Sequence, residues 1–569
     1  MTPELIAART AFLQTDRKIA EERWVVIESQ IAPYRGMFMY DITNELGVPL
    51  NKADVYDGTA LQSAQTLAAN LHGNLTSPYT MWFSLAFGRD TLQDDPEARA
   101  WLEECADIIW KELQKSNFSK EVAEGYLDLT TFATTFMFEE AKEELEWDGV
   151  LFNSIPLKEC YFEEDACGGI NTFYRVLRWT PVQLCDKFGD KVPLDIQEIA
   201  KGPTATAQRF EVIFCVWQRK KKERMQWKKL PPKRRPYGCR YILKRDALPL
   251  TEESGYYEMP VFATRWAKVS ESQWGHGPSH VAIYDVQALN RQEMLTMQAL
   301  EKTIDPPQKT TERGVIGDLD LRPGGLTVLR TMDDLQPMEF GTQWAVVGEE
   351  RQNRRNMIRE YYMISKLDLK ESPAMTATEV ERRWQQMQKL LGPTLGRLQS
   401  DLLGPVIETT FSLLMRAGRL PQMPQVLLQE GVELDIEYTG PLPIAQKADL
   451  AGAIERELGL ASNLAATYGP DAMDALDVAK AVREHARLTA VPAKVLRTDA
   501  EIKKRQDERK KSAEQDRAMQ QGLAQAEAAK NAGAGAKNMA EAHTAANEME
   551  GPAEDMAEGG VEEPNAAAA

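Results

Sequence analysis

The chain has 569 residues, room for roughly three or four ordinary domains with real cores. Acidic residues outnumber basic ones by 86 to 68, and the formal charge of −18 excludes a generally basic nucleic-acid glove. Cys105, Cys160, Cys167, Cys185, Cys215 and Cys239 include no C-x-x-C pair, so neither a disulfide framework nor a zinc cluster is written here, and a reducing, cytoplasmic site of synthesis is expected.

From the N-terminus, Met1 to Trp24 is charged throughout and lacks the apolar core of a signal peptide. No apolar run of about 18 residues occurs, so no spanning helix and no membrane partner are expected. Residues 2–34 read as one or two helices with Ile6, Phe12, Leu13, Ile19 and Trp24 as an apolar stripe that must pack on something. Asp57-Gly58-Thr59 makes a turn and cap, followed by a small-residue helical face of Ala60, Ala64, Leu67, Ala68 and Leu71. Gly73 and Ser77-Pro78 end it before an aromatic, strand-like run with Trp82 and Phe83. His72 has no companion at metal-ligand spacing and reads as structural.

Helical periodicity resumes at Pro96 through Leu113 and continues over Ser119–Ala141, whereas Leu151–Trp179 and Phe210–Trp217 alternate with the period of two expected of strands. This middle third predicts an α+β layout with no Rossmann or P-loop signature. The basic island Arg219–Arg235, interleaved with Trp227 and broken by Pro231-Pro232, admits two readings. It is a phosphate-touching patch acting by counterion release, or a solvated hairpin tip; the second is favoured because runs of like charge repel and stay hydrated. Val261–Trp266 predicts a strand, and after the turn Trp274-Gly275-His276-Gly277-Pro278, Ser279 caps a long helix to Ile304, stopped by Asp305-Pro306-Pro307. Apolar groups almost all round that helix (Val281, Tyr284, Val286, Leu289, Leu295, Met297, Leu300) predict burial between neighbours. Residues 305–343 read as short strands broken by Gly317, Pro323-Gly324-Gly325 and Pro337. Asp318 and Asp320 share a strand face, but with no third ligand nearby a metal is not expected.

A second long helix is predicted from Trp344 to Ser365, with Arg351, Arg355 and Arg359 at i, i+4, i+8 and Arg354 beside them. That spacing puts a basic ladder on one face of the helix. After Ser372-Pro373, Thr376-Ala377-Thr378-Glu379 has capping-box spacing, Thr376 capping and Glu379 reaching back, and starts a helix from Thr378 toward Leu402. Gly392-Pro393 is expected to interrupt it, Gly404-Pro405 to kink the path again, and Gly418 to cap its end. Leu434–Tyr438 predicts a strand, and Ile444–Leu458, Asn463–Tyr468 and Asp474–Leu488 predict helices, with His485 on a charged surface. From Asp499 a charged helix passes into an Ala, Glu, Gly and Met-rich tail too poor in large apolar groups to offset ordering. No H-E-x-x-H or G-x-S-x-G motif is present, so the rival enzyme reading, a nuclease or packaging ATPase, has no motif behind it. No cofactor is expected.

Several of these segments, in this order, resemble the head-to-tail connector (portal) proteins of short-tailed double-stranded DNA bacteriophages. They are the Asp-Gly turn with its small-residue helix; Leu75-Thr76-Ser77-Pro78 with Trp82-Phe83; Pro260 to Arg265-Trp266; and Gly275-x-Gly-Pro278 with the long helix ending in Pro-Pro. Downstream, Met375–Gln386, Leu395–Phe411 and Val491–Arg509 also match, so the resemblance spans about Ala11 to Lys511. It implies a mainly α, α+β chain assembled as a ring, usually a dodecamer, at one capsid vertex and made in the host cytoplasm. Double-stranded DNA passes non-specifically through such a ring, driven by the terminase large subunit. Tail adaptor, capsid and scaffolding or internal core proteins are the other implied partners.

On that plan residues 1–278 are the wing, 279–304 the first stem helix, 305–343 the clip and 344–365 the second stem helix. Residues 366–377 are the channel loop, 378–440 a kinked helix and return to the wing, 441–511 the crown, and 512–569 an acidic, largely disordered tail. The resemblance makes Lys366, Lys370, Glu371, Ser372 and Met375 channel-loop residues, and Asp318, Asp320, Arg322 and Arg330 clip residues. In the ring it implies, the ladder of Arg351, Arg355 and Arg359 can face DNA, pair with acidic groups of the adjacent subunit or stay solvated, and inter-subunit pairing is favoured because neighbouring stem helices pack tightly in so acidic a chain. A monomeric scaffolding or adaptor protein would explain the acidic tail but not the stem-clip-stem order.

Overall fold

Two strand-rich blocks and a set of long helices follow from where the period of the apolar residues switches between two and 3.6. The computed structural model describes residues 1–33, 35, 55–87, 96–142, 147–166, 168–203, 205–219, 230–270, 272–312, 314–320, 322, 326–338, 344–364, 392–424, 434–438, 441–468, 478–488 and scattered positions from 504 to 537. The channel-loop expectations (Lys366, Lys370, Glu371, Ser372, Met375), the cap Thr376 with Glu379, the helix to 391, Cys167 and residues 220–229 of the basic island lie outside the described residues. Residues Met1–Ala493 form one unit, and Lys494–Ala569 a second, described only at isolated helical positions.

The larger sheet is antiparallel, in the order β4 (Cys160–Glu164), β5 (Ile170–Trp179), β6 (Phe210–Gln218), β7 (Tyr237–Leu243), β8 (Leu248–Pro249), with β9 (Ser254–Tyr256) also on β7. Strict alternation along β6 sends Ile213, Cys215 and Trp217 to one face and Val212, Phe214 and Val216 to the other. Helix α1 (Pro3–Asp16) covers the first face with Ile6 and Leu13. The second face is covered by α6 (Pro181–Phe188) and α7 (Leu194–Lys201) through Leu184, Phe188 and Ile196. Thr180 starts α6 with a full capping box, its hydroxyl taking the Gln183 amide while the Gln183 side chain takes the Thr180 amide. The basic island therefore joins β6 to β7, whose last pair is Gln218 with Tyr237.

Helix α2 (Lys18–Gln30) follows α1 almost without a break, because Arg17 keeps helical backbone angles between them. The expected stripe is only half right. Ile6, Leu13 and Trp24 are buried, but Phe12 and Ile19 stand 71% and 72% exposed, since seven-residue spacing returns them to the face opposite Ile6.

The main core lies under the second sheet, β10 (Val261–Arg265), β2 (Thr134–Ala141) and β3 (Val150–Ile155). Against it pack α3 (Thr59–Leu75), α4 (Pro96–Lys115) and α5 (Phe118–Phe132). The helical pattern expected across 119–141 ends at Phe132: Ala133 turns into the left-handed region at φ 60°, and the β-branched and aromatic run Thr134-Thr135-Phe136-Met137-Phe138 becomes β2. That kink is held by the glycines of Trp274–Pro278. A Cβ on Gly275 would sit 2.0 Å from the Ala133 carbonyl oxygen, and one on Gly277 2.8 Å from the Ala133 Cβ. Gly275→Ala is therefore expected to lower unfolding free energy by about 3 kcal/mol or more, read as a denaturant midpoint shift at constant slope. A change under about 0.5 kcal/mol would show that the turn yields.

Residues 392–398 are helical and run through a π turn, Gln399–Leu403, into α10 (Gly404–Arg416). The kink expected at Gly404-Pro405 takes this form because Pro405 offers no amide to the α ladder; the wider turn lets the Gly404 amide reach back five residues to the Gln399 carbonyl. Gly418, at φ 67°, ends the helix as expected, with the Gly418 and Arg419 amides closing on Met415 and Leu414. Strand β13 (Leu434–Tyr438) pairs with β1 (Phe83–Phe87). The two helices expected over 444–468 are one, α11 (Pro441–Tyr468), because the Leu- and Ala-rich run beyond Gly459 carries the helix past it. It is followed by α12 (Val478–Leu488), whose His485 Nε2 lies 2.9 Å from Glu455. No described helix is long and apolar enough to cross a membrane.

Candidate functional site: two long helices and the segment between them

Helix α8 (Pro278–Ile304) and helix α9 (Trp344–Tyr361) pack against each other and bracket the segment 305–343. Pro278 opens α8 at its first position behind Gly277, so Ser279 is not the expected cap. Buried, it donates to the Thr130 carbonyl at 2.8 Å and lies 2.7 Å from the Tyr362 hydroxyl, tying the base of α8 to α5 and to the end of α9.

The basic ladder closes within the chain. Arg351 Nη1 meets Glu293 Oε2 at 3.0 Å, and Arg355 meets Glu293 Oε1 at 2.7 Å and Asp57 Oδ2 at 2.8 Å. Arg354 pairs with Asp285 at 3.1 Å and Glu350 at 3.0 Å, and Tyr361 donates to Asp285 at 2.9 Å. Three of the arginines thus meet carboxylates of this chain, because α8 presents Asp285 and Glu293 two turns apart to the same face of α9. Arg359 is exposed and has no ion pair among the described residues. Steps of four residues advance about 40° round a helix, so the third rung has turned away from α8.

Asp57 is the hinge of this network. Burial pushes its carboxyl up, but hydrogen bonds from Thr59 and Arg355 outweigh that and hold it below the ordinary range. Asn290, on α8 one turn before Glu293, accepts the Tyr56 and Asp57 amides at 3.2 and 3.0 Å and donates to Gln30 at the end of α2. The turn before α3, the end of α2 and both long helices are thereby joined through buried polar groups.

The rest of α8 departs from the expected burial. Val286 and Leu289 are buried, but Val281, Tyr284, Leu295, Met297 and Leu300 are exposed, Tyr284 at 76%. Val281, Tyr284, Ala288, Leu295 and Ala299 recur at spacings of three, four, seven and four, a coiled-coil seam with no partner helix among the described residues.

In the intervening segment β11 (Gln308–Thr310) pairs with β12 (Leu335–Pro337), and Val315 bridges to Leu329. Asp320 is occupied by Arg322, whose Nε and Nη2 lie 2.9 and 3.0 Å from its two oxygens, and this pairing holds its pKa down. Asp318 and Arg330 are exposed, and the Arg330 amide donates to Gly314. Ile316, Leu319, Leu326, Val328 and Met338 all face outward. Among the described residues no group of three metal-ligating side chains occurs.

His72 bonds Thr76 at 3.0 Å and Ser119 at 3.3 Å, a packing role. His280 lies beside His276 near the start of α8, and burial, then His276 and Arg23, lower its pKa to about 4. A lowered folded pKa costs nothing above the unfolded value near 6.5 and withdraws stability as pH falls toward 4. Relative to His280→Gln, the parent should lose on the order of 3 kcal/mol across that window, at roughly 1.4 kcal/mol per pH unit. Asp128, raised to about 6 by burial, acts with the opposite sign in both proteins and cancels in the comparison. Parallel stability–pH curves would contradict the assignment.

The sequence profile of the bacteriophage head-to-tail connecting protein family matches residues 4–496. The chain belongs to this family. Two curated relatives match this connector at 26% identity: a probable portal protein of Bordetella phage BPP-1, over 91% of this chain and 94% of the relative, and the portal protein of Salmonella phage epsilon15, over 93% and 94%. A chain in the neck of an empty GTA particle aligns with 73% of the connector and 87% of its own length, at 9% identity and a TM-score of 0.35. What sequence reasoning missed in the connector is the acidic half of the helix pair. The sequence marks Asp57 only as a turn residue, and the three- to five-residue spacing of Asp285, Asn290 and Glu293 on one helix is the signal that points to the rest.

Proposed function

We propose that this chain is the structural portal subunit at one capsid vertex, through which double-stranded DNA is packaged and ejected. Family membership together with the unpartnered seam on α8 supports this reading. A closed ring uses a head-to-tail contact in which each subunit offers two different surfaces. The seam of Val281, Tyr284 and Leu295 fits the outward face of α9 in the next copy, where Val346 and Met357 are exposed. Helices α8 and α9 are then the stem, 305–343 the clip and 441–511 the crown. The outward apolar groups of the clip, Ile316 to Met338, are the docking surface for terminase and afterwards for tail proteins.

Residues 366–377 are assigned to the channel constriction, with Lys366 and Lys370 meeting phosphates, contacts that carry no sequence information and so suit passage of any DNA. Arg359 joins them as the ladder's one exposed cation, while Arg351 and Arg355 serve the helix pair. Sedimentation of the purified chain with a nuclease and ATPase assay tests the reading. A many-subunit species without either activity is expected; a monomer with divalent-dependent nuclease activity would overturn it.

A further inference from the structure

The first block of the fold is a three-layer sandwich, α1 on one face of the larger sheet and α6 with α7 on the other, and each outer layer leaves large apolar side chains in the open. On the α1 side these are Leu5, Phe12 and Ile19, on one line along α1 and the start of α2, with Phe12 and Ile19 more than 70% exposed. On the opposite side they are Val182 and Leu194, the latter 75% exposed at the first residue of α7. Among the described residues neither patch faces a core of this chain: Ile6 and Leu13 fill the first interface and Leu184 and Ile196 the second.

We infer that the α1 patch of one copy seats against the α6–α7 patch of the next, making the sheet sandwich a second subunit interface in addition to the long helices. This rests on the ring reading. Two unlike patches on opposite faces of one block fit a head-to-tail contact; an isologous dimer would need only one patch, facing itself. Size points to the same occupant. Each patch has two or three side chains, far short of the roughly 800 Å² per partner of a stable stand-alone interface. It can contribute only where another contact already holds the partners in register, as a neighbouring copy in a ring does.

The test is a full-length chain with Phe12→Cys and Leu194→Cys, in a background where Cys167 and Cys185 are Ser, treated with a short bismaleimide and run on a denaturing gel. Sedimentation in parallel reports the ring. Expected is a ladder of covalent multimers from the double variant and monomer from each single variant. Rings that yield no ladder, or dimers from Phe12→Cys alone, overturn this interface while leaving the ring intact; failure to form any multimer overturns the ring reading with it. A second variant, Phe12→Ser with Ile19→Ser, should leave the monomer's unfolding midpoint unchanged and lower the denaturant concentration at which rings dissociate. No change in that concentration counts against the interface.

Discussion

Replacing Arg355 by Met should lower the unfolding free energy by about 3 kcal/mol. The change leaves the Asp57 carboxylate, 7% exposed, without its cation in a site the chain otherwise seals. Removing one partner of a buried pair typically costs about 3–5 kcal/mol. The low end applies because the guanidinium is 32% exposed and Arg351 still holds Glu293. Asp57→Asn keeps an oxygen for the Thr59 amide, so a double-mutant cycle of Asp57→Asn with Arg355→Met isolates the ion pair, with a coupling of about 1–3 kcal/mol expected. Acid should erase it. The folded pKa of Asp57 is lowered, so its contribution is present above the ordinary carboxylate value near 4 and fades as pH falls through the folded value. Additive single changes at neutral pH, or a coupling that survives at low pH, would show that the pair does not lock the helices to the Asp57 turn.

The second large effect falls on assembly. Tyr284→Glu with Leu295→Glu puts two carboxylates into the outward seam of α8, where both native side chains are exposed and neither joins a core among the described residues. Lost burial of about 1.5–3 kcal/mol per side chain, with added charge repulsion, weakens each subunit contact by at least about 4 kcal/mol, roughly a thousandfold in association constant. Subunit stability should change by under about 0.5 kcal/mol, as for ordinary surface substitutions. Sedimentation shifting to monomer with an unchanged unfolding midpoint is expected. Rings of undiminished stability would remove the seam from the interface.

Long elements were legible because periodicity and stop signals agreed. The span Ser279–Ile304 differs from α8 by one residue, and Leu434–Tyr438 matches β13. Tertiary choices were not. Thr134–Ala141 reads as a continuation of α5 until Ala133 is seen forced into the left-handed region by the Gly275 turn, a contact 142 residues distant in sequence that no local pattern encodes. The two short helices α6 and α7 leave no periodic trace, because eight residues are too few for it to register, and only the capping box Thr180-Pro-Val-Gln183 marks the first of them. At the site, i, i+4 spacing exposed the ladder but not its partners, because which carboxylates face α9 depends on how α8 packs. Phe12 and Ile19 show the complementary error: helical spacing fixes which residues share a face, not which face the rest of the chain covers.

Electron microscopy of the purified, unmodified chain tests the central claim most directly. Homogeneous rings with an open axial hole and two-helix walls are the expected result; subunits that stay monomeric at every concentration, or that assemble into particles with no hole, would contradict a DNA-conducting portal.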